Sequence, residues 1–201
     1  MPAVFDGWPP WDRSPLATGS VHVWGAHGVS SRADPVLREI LGTLLARDPS
    51  GLTFEVGEHG RPSLVSNEGL DFNLSHSGGA IVIAVGVNVR VGVDVEDMSR
   101  SVDRSGLARR FFTEAEAERL SASDSRAFFD LWTKKEAVVK AIGKGVSMSL
   151  GSFEVSQYLT QRVDVEGGSR WFVTELDPGG DFVGAVAIDR DVPINRWNLA
   201  V

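Results

Sequence analysis

The sequence predicts a mixed α+β fold, and three observations indicate it. Short segments with the alternating or β-branched character of strands occur throughout the 201 residues. One long stretch, residues 125–142, has the apolar spacing of a helix, and a second helical pattern covers residues 35–47. Strands and helices follow one another along the chain in an order typical of α+β proteins.

The first half of the chain is predicted to hold one helix among several strands. Residues 21–24 alternate and are rich in β-formers. Pro35 stands at the start of the helix, and the turn-forming segment 48–51 ends it. Three further strands are predicted, at residues 52–56, 70–74 and 80–87. Residues 75–79 join the last two strands as a hairpin-like turn.

The second half is predicted to combine three helices with further strands. Residues 91–96 form the first strand. The helices are predicted at residues 103–112, 113–120 and 125–142. Thr113 and Glu116 have the spacing of a capping box, and Gly143 closes the longest helix. The remaining strands are predicted at residues 152–155, 161–165, 171–176 and 182–188.

Composition excludes several classes of protein. The chain has no cysteine, which rules out disulfides, thiol nucleophiles and cysteine-ligated metals. Its four histidines lack metal-ligand spacing, and a net charge of −7 argues against a nucleic-acid-binding surface. The first twenty residues lack the pattern of a signal peptide, and no apolar run is long enough to span a bilayer. We therefore expect a soluble cytoplasmic protein.

Asp94 and Glu96 are candidates for a metal site. They stand two residues apart in the predicted strand 91–96, so both side chains lie on one face. Two neighbouring carboxylates repel each other unless a cation lies between them or one is protonated. A site of oxygens alone favours a hard ion such as Mg²⁺. The alternative is an edge strand with two solvated acids.

All four lysines lie within eleven residues, whereas sixteen arginines are spread from Arg13 to Arg196. In the lysine stretch, Trp132, Glu136 and Lys140 recur every four residues and form one stripe on the predicted helix. Glu136 is a candidate metal ligand or base, and Lys140 is a candidate for neutralising a phosphate. The alternative is an ordinary surface ion pair.

The segment 75–79, SHSGG, is a candidate anion site, because hydroxyls, an imidazole and unhindered backbone N–H groups meet in one turn. The alternative is a Gly-Gly hairpin with polar side chains around it. No motif typical of serine hydrolases, P-loop proteins or dinucleotide-binding proteins occurs.

Taken together, three segments resemble motifs of the 4′-phosphopantetheinyl transferases of the surfactin-synthetase (Sfp-like) type. Residues 72–77, FNLSHS, are similar to the family's FN(L/I)SHS motif. Residues 92–96, GVDVE, are similar to its G(V/I)D(V/I)E motif, and residues 132–143 to its W-x-x-KE-A-x-x-K-x-x-G motif. Smaller similarities lie at residues 60–62, 111–116 and 143–145. The resemblance extends over residues 38–188.

The resemblance implies a fold of two similar α/β halves related by a pseudo-twofold. We place the halves at residues 1–90 and 91–201, with the active site between them. The resemblance also implies a reaction, in which the phosphopantetheine arm of coenzyme A is transferred to a serine of an apo acyl or peptidyl carrier protein and adenosine 3′,5′-bisphosphate is released. It also implies Mg²⁺ as the cofactor, with Mn²⁺ as an alternative, and a monomer. From charge and hydropathy we expect neither nucleic acid nor membrane as a partner.

The resemblance further implies roles for individual residues. Asp94, Glu96 and Glu136 would bind Mg²⁺ against the pyrophosphate of coenzyme A, and Glu136 would also be the base for the carrier serine. Lys140 would neutralise pyrophosphate charge, which makes Glu136, Lys140 and Asp94 the catalytic residues. The phosphates of coenzyme A would be held by Arg61, Ser75, His76 and Lys140.

One departure from the family concerns the segment between the first strand and the first helix. Only seven residues separate Trp24 from Arg32, whereas family members have a longer, basic segment there. Some contacts to the nucleotide end of coenzyme A are therefore expected to be missing or replaced. Arg32 and Arg38 are the candidates for that role.

A basic surface beside Phe111 and Phe112 is expected to receive an acidic carrier protein. Its predicted members are Arg109, Arg110, Lys134 and Lys135. Two alternatives to a transferase stay open. One is a degenerate, non-catalytic module that binds coenzyme A or a carrier, which the short segment before Arg32 suggests. The other is a Mg²⁺ pyrophosphohydrolase on another fold, which would require a helix richer in glutamate.

Overall fold

The computed structural model describes residues 5, 7–13, 16–28, 33–66, 69–120, 125–156, 158–165 and 167–199. The strands within them are β1 (Val21–Ala26), β2 (Phe54–Val56), β3 (Pro62–Leu64), β4 (Leu70–Ser77), β5 (Ala80–Val87), β6 (Val91–Asp97), β7 (Thr160–Val165), β8 (Ser169–Leu176), β9 (Phe182–Ile188) and β10 (Ile194–Asn198). The α-helices are α1 (Ala33–Leu45), α2 (Arg104–Phe111), α3 (Glu114–Leu120) and α4 (Ser125–Ile142). No helix in these ranges combines the length and apolar character needed to cross a membrane.

Two four-stranded sheets form the body of the protein, with strand orders β10-β1-β5-β4 and β6-β9-β8-β7, and the β2–β3 hairpin stands apart. One apolar cluster joins the two sheets and includes Val23, Val82, Val93 and Val186. A second cluster packs α1 on the opposite face of the first sheet, and a third packs α4 on the opposite face of the second sheet. The layers therefore run helix, sheet, sheet, helix.

The two halves repeat one connectivity. In each, a strand is followed by a helix and then by a hairpin whose second strand pairs antiparallel with the first strand. The elements are β1, α1, β4 and β5 in the first half and β6, α4, β8 and β9 in the second. This repeat confirms the α+β class and the two similar halves that the resemblance implies.

The last strand joins the two halves of the chain that are predicted on either side of a boundary at residue 90. That boundary falls between β5 and β6, which belong to different sheets. However, β10 lies parallel to β1 in the sheet of the first half. Trp197 on β10 donates a hydrogen bond from Nε1 to Nδ1 of His22 on β1 at 2.9 Å. The second half of the chain therefore completes the first sheet.

Four segments differ from their predicted structure. Residues 75–77 continue β4 in register with β5, and only Gly78 and Gly79 form the turn, because a two-residue hairpin of this kind needs two residues with positive φ. Residues 152–155 hold no strand, and Leu150–Ser152 form a short 3₁₀ turn instead. The strands β3 and β10 were not predicted; β3 has only three residues and begins with proline.

A glycine allows α4 to lie directly on β6. A Cβ added at Gly92 would overlap the carbonyl oxygen of Ala137 and the backbone nitrogen of Ala141. Only glycine permits this approach of helix and strand. Because Gly92, Asp94 and Glu96 share one face of β6, the same contact brings both acids close to the helix that carries Glu136 and Lys140.

The two sheets meet along their edge strands β4 and β6, which share no backbone ladder. Side chains of β4 instead accept hydrogen bonds from backbone N–H groups of β6. Asp71 Oδ2 accepts from Val91 N at 2.8 Å, and Asn73 Oδ1 accepts from Val93 N at 2.9 Å. Ser77 Oγ accepts from Asp97 N at 3.2 Å. Positions 71, 73 and 77 of β4, which lie on one face of the strand, therefore contribute to this contact, which we call the β4–β6 seam.

Lys135 is fully buried and forms an ion pair with the fully buried Glu116 at 2.8 Å. Its Nζ also donates to the carbonyl oxygens of Leu150 and Phe153. Burial lowers the pKa of Lys135, and Glu116 opposes that shift. Glu116 accepts from the backbone N–H of Thr113 at 3.0 Å, which confirms the predicted capping box.

Lys134 is also buried, and it forms an ion pair with Glu175 on β8 and donates to the carbonyl oxygen of Tyr158. The predicted carrier-binding surface is therefore wrong in two of its members, because Lys134 and Lys135 are held inside the protein by carboxylates from elsewhere in the chain. Arg109 and Arg110 are exposed, as that prediction requires.

Replacement of Gly92 by alanine is expected to destabilise the fold by about 1–3 kcal/mol, since the added methyl group overpacks the contact between β6 and α4. The free energy of unfolding in urea measures the effect. Gly51→Ala is the control, because nothing lies within 4 Å of a Cβ added there, and it should change stability by less than about 0.5 kcal/mol. Equal effects of the two substitutions would contradict the close contact at Gly92.

Replacement of Lys135 by methionine is expected to cost about 3–5 kcal/mol, because it leaves the Glu116 carboxylate buried without its cation. Urea unfolding of Lys135→Met, of exposed Lys144→Met and of the double variant Glu116→Gln, Lys135→Met separates charge from packing. The double variant should regain much of the loss, and Lys144→Met should resemble wild type. If Lys135→Met behaved like Lys144→Met, the ion pair would have no structural role.

Candidate active site

Three elements bring the central predicted residues together. Lys140 on α4 forms an ion pair between Nζ and Asp94 Oδ1 on β6 at 2.7 Å. Ser75 on β4 donates from Oγ to the same Asp94 oxygen at 2.8 Å, and Lys140 Nζ lies 3.0 Å from Ser75 Oγ. Ser75 from β4 and Lys140 from α4 thus both contact one carboxylate oxygen of Asp94 on β6.

The second oxygen of Asp94 has no such partner. Asp94 is 4% exposed, and its Oδ2 is a buried atom without a hydrogen-bond partner in the described part of the chain. A buried carboxylate oxygen without a donor is unfavourable. A cation, or a donor from a bound molecule, would satisfy this oxygen, which we call the open oxygen of a carboxylate that Lys140 and Ser75 already fix.

Glu96, two residues further along β6, has a similar arrangement. Ser77 donates from Oγ to Glu96 Oε2 at 2.8 Å, and Arg100 Nη1 lies at the same distance from that oxygen. Burial raises the pKa of Glu96, and the charge of Asp94 raises it further, whereas Ser77 and Arg100 oppose the shift. The charge of Asp94 therefore acts on Glu96.

Glu136 lies half-buried on the same helix as Lys140, one turn before it. Burial raises its pKa from 4.5 to about 7, with Asp94 and Glu96 adding to the rise and Lys140 opposing it. A carboxylate with a pKa near neutral pH is suited to accept a proton from a substrate. Such shifts concentrate at functional sites.

The three acids are not assembled as a closed metal cage. Among the described residues, no group of three or more histidine, aspartate or glutamate side chains is arranged to hold one ion. Mg²⁺, however, is typically bound by one or two carboxylates together with substrate phosphates. An all-oxygen set that includes the open Asp94 Oδ2, and in which Asp94 and Glu96 raise the pKa of Glu136, fits such a cation.

Arg61, predicted to contact coenzyme A, is used inside the protein. Its Nη2 contacts Asp71 Oδ2 at 2.8 Å and the carbonyl oxygens of Phe72 and Val91, and its Nη1 contacts the carbonyl oxygen of Lys140. The guanidinium thus joins β4, β6 and α4 near their ends. Its role toward coenzyme A stays a prediction.

The other predicted phosphate contacts are dispersed. Arg38 pairs with Asp34 at 2.9 Å and donates to the carbonyl oxygen of Leu52, so it holds α1 to the following turn. His76 is exposed, and the alternation of β4 places it on the opposite face from Ser75. Arg32 lies outside the described residues. The structure therefore brings Asp94, Ser75 and Lys140 into contact, with Glu96 and Glu136 near enough to interact electrostatically.

Asp71, Asn73 and Arg100, which contact β6, were not identified as part of this site from sequence. Ser77 was named only as a member of the candidate anion segment 75–79. For Asn73 and Ser77 the signal was present in the alternation of FNLSHS. Successive residues of a strand point to opposite faces, so Asn73, Ser75 and Ser77 share one face. Reading the segment as a turn concealed that alternation.

Several known proteins are similar to this chain in sequence. Residues 90–187 match the model of the 4′-phosphopantetheinyl transferase superfamily. The 4′-phosphopantetheinyl transferase HetI of Nostoc sp. is 34% identical over 160 residues, which cover 76% of this chain and 67% of HetI. A 4′-phosphopantetheinyl transferase of Bacillus subtilis is 33% identical, with 76% of this chain and 70% of the relative covered.

A further relative carries the name that the sequence motifs suggested. The 4′-phosphopantetheinyl transferase Sfp of Bacillus subtilis is 30% identical over 155 residues, which cover 73% of this chain and 68% of Sfp. The aligned regions of these relatives extend well beyond any single motif. The chain therefore belongs to the 4′-phosphopantetheinyl transferase superfamily and is of the Sfp-like type.

Proposed function

We propose that the chain transfers the 4′-phosphopantetheine arm of coenzyme A to a serine of an apo acyl or peptidyl carrier protein and releases adenosine 3′,5′-bisphosphate. The observation that carries the proposal is the convergence of Lys140 and Ser75 on Asp94, beside a glutamate whose pKa is raised to about 7. The names of the relatives, which are transferases, support the same reaction.

Asp94 would hold Mg²⁺, or Mn²⁺, through its open oxygen, together with Glu96 and Glu136. When bound, the ion would neutralise charge on the pyrophosphate of coenzyme A. The holo-carrier-protein synthase activity and its dependence on Mg²⁺ belong to this proposal. The raised pKa values of Glu96 and Glu136 support it, because a cation beside them favours their charged forms.

Glu136 would accept the proton of the carrier serine hydroxyl. The serine oxygen then forms a bond to the phosphorus that bears the pantetheine arm, and the bond from that phosphorus to the bridging oxygen of the pyrophosphate breaks. The leaving group is adenosine 3′,5′-bisphosphate. Lys140, whose Nζ lies at the Asp94 carboxylate, would contact the pyrophosphate oxygens as their negative charge changes.

The partners in this proposal are coenzyme A and a carrier protein. Arg109 and Arg110 on α2 stay the predicted contact for an acidic carrier. A cavity of about 610 Å³ lies between α2 and α3, next to Arg109 and above Phe112. The expectations of a cytoplasmic monomer without nucleic-acid or membrane contacts stay predictions.

The degenerate binding module is the less favoured alternative, since Asp94, Glu96, Glu136 and Lys140 are all present and the relatives are transferases. The pyrophosphohydrolase alternative requires another fold. The two activities can be told apart, because a pyrophosphohydrolase would cleave coenzyme A without a carrier, whereas a transferase needs one.

Intact mass of an apo acyl carrier protein and an apo peptidyl carrier protein, incubated with the chain, coenzyme A and Mg²⁺, tests the reaction. We expect a gain equal to one phosphopantetheine arm on at least one carrier, and its loss in EDTA. Glu136→Gln should lower the transfer rate by about 10²-fold or more, because the amide cannot accept the proton. The proposed role of Glu136 fails if the variant transfers at a near-normal rate, and the transferase proposal fails if wild type modifies neither carrier.

Glu136 is also expected to make stability depend on pH. Its folded pKa of about 7 exceeds the ordinary 4.5, so the folded state binds more protons between these values, and stability falls as pH rises through them. In EDTA, Glu136→Gln should therefore be more stable than wild type by about 1–3 kcal/mol at pH 8 and similar to it at pH 4.5.

Urea unfolding at both pH values measures this difference. Glu39→Gln, at an exposed position of α1, is the matched control and should shift stability little at either pH. A Glu136→Gln variant that is no more stable than wild type at pH 8 would contradict the raised pKa.

A further inference from the structure

Asp94 and Glu96 on β6 are each held at one oxygen by two donors. Asp94 Oδ1 receives Ser75 Oγ and Lys140 Nζ, and its Oδ2 stays open. Glu96 Oε2 receives Ser77 Oγ and Arg100 Nη1, each at 2.8 Å. In both cases one serine of β4 and one cation occupy the same carboxylate oxygen, so the orientation of the second oxygen is set by the first.

The chemistry of β4 changes where the acids of β6 begin. At positions 71 and 73 the side chains of β4 are acceptors, and they meet backbone N–H groups of β6. At positions 75 and 77 they are hydroxyls, and they donate to Asp94 and Glu96. A hydroxyl can donate and accept, whereas a carboxylate can only accept. Serine thus suits a position opposite an acid.

The position of Ser77 is fixed by the hairpin turn that follows it. Gly78 and Gly79 both have positive φ, and Ser77 pairs with Ala80 across the turn. A side chain at Gly78 would overlap the carboxylate of Asp97, so the turn packs closely against the end of β6. The Ser77 hydroxyl, which is buried, therefore has little freedom to leave Glu96.

We propose that Ser77 is a positioning residue that orients Glu96 toward the divalent cation bound at Asp94. This inference rests on the proposed function, since it requires that cation. Ser77 does not contact the reacting atoms and acts through Glu96. Residues that orient a metal ligand in this way commonly change metal affinity by 10–100-fold when they are replaced.

Binding of Mn²⁺ alone to the full chain, followed by the electron paramagnetic resonance signal of the free ion, tests the proposal. Ser77→Ala should raise the Kd for Mn²⁺ by about tenfold. Ser77→Thr, which keeps the hydroxyl, should bind within about threefold of wild type. Ser63→Ala is the matched control, because Ser63 donates to Glu55 at 3.2 Å across the β2–β3 hairpin, outside the site, and its Kd should equal that of wild type.

A solely structural role for Ser77 has a different signature. Loss of its bond to the Asp97 N–H would lower the Tm and leave the Kd for Mn²⁺ unchanged, and this result would overturn the proposal. If Ser77→Ala did not fold, Ser77→Cys would replace it, because cysteine has a similar shape and is a weak donor. Absence of Mn²⁺ binding by wild type would also overturn the proposal.

Transfer to a carrier by wild type is a separate measurement. Its failure would contradict the proposed function, whereas the comparison of Mn²⁺ affinities decides the role of Ser77 in either case.

Discussion

The β4–β6 seam is the constraint on which the rest of the structure depends. Two sheets meet there at their edge strands, and the N–H groups of β6 would be unsatisfied without the side chains of Asp71, Asn73 and Ser77. Unpaired edge strands are a liability that proteins cover in some way. These side chains lie on the same face of β4 as Ser75, which donates to Asp94, and Ser77 also donates to Glu96, so the joint between the halves and the site share one face of β4.

The lysines show how similar residues separate in function. Lys134 and Lys135 are buried and pair with Glu175 and Glu116, so they connect α4 to the parts of the fold around it. Lys140 faces Asp94 on the opposite side of the same helix. Lys134 and Lys135 are buried ion-pair partners and have a structural role. Lys140 pairs with a carboxylate whose second oxygen is open, so it can take part in the reaction. The burial of each lysine distinguishes these roles.

Much of the fold could be predicted from periodicity, because local patterns decide local elements. The bounds of α4 agree at both ends, and the common face of Asp94 and Glu96 followed from alternation alone. What could not be predicted depends on contacts between distant residues. Nothing near Lys135 indicates Glu116 as its partner, and nothing near Arg61 indicates the three carbonyl oxygens that it binds. The parallel pairing of β10 with β1 has the same origin.

That pairing has a consequence for the order in which the chain can fold during synthesis. The first sheet receives its edge strand only when residues 194–198 have left the ribosome, although β1, β4 and β5 are made much earlier. Domains usually fold as units with the N-terminal part first. In this chain one edge of β1 stays unpaired until β10 has been synthesised. The two halves therefore complete their folding together, and neither is a module that could be exchanged alone.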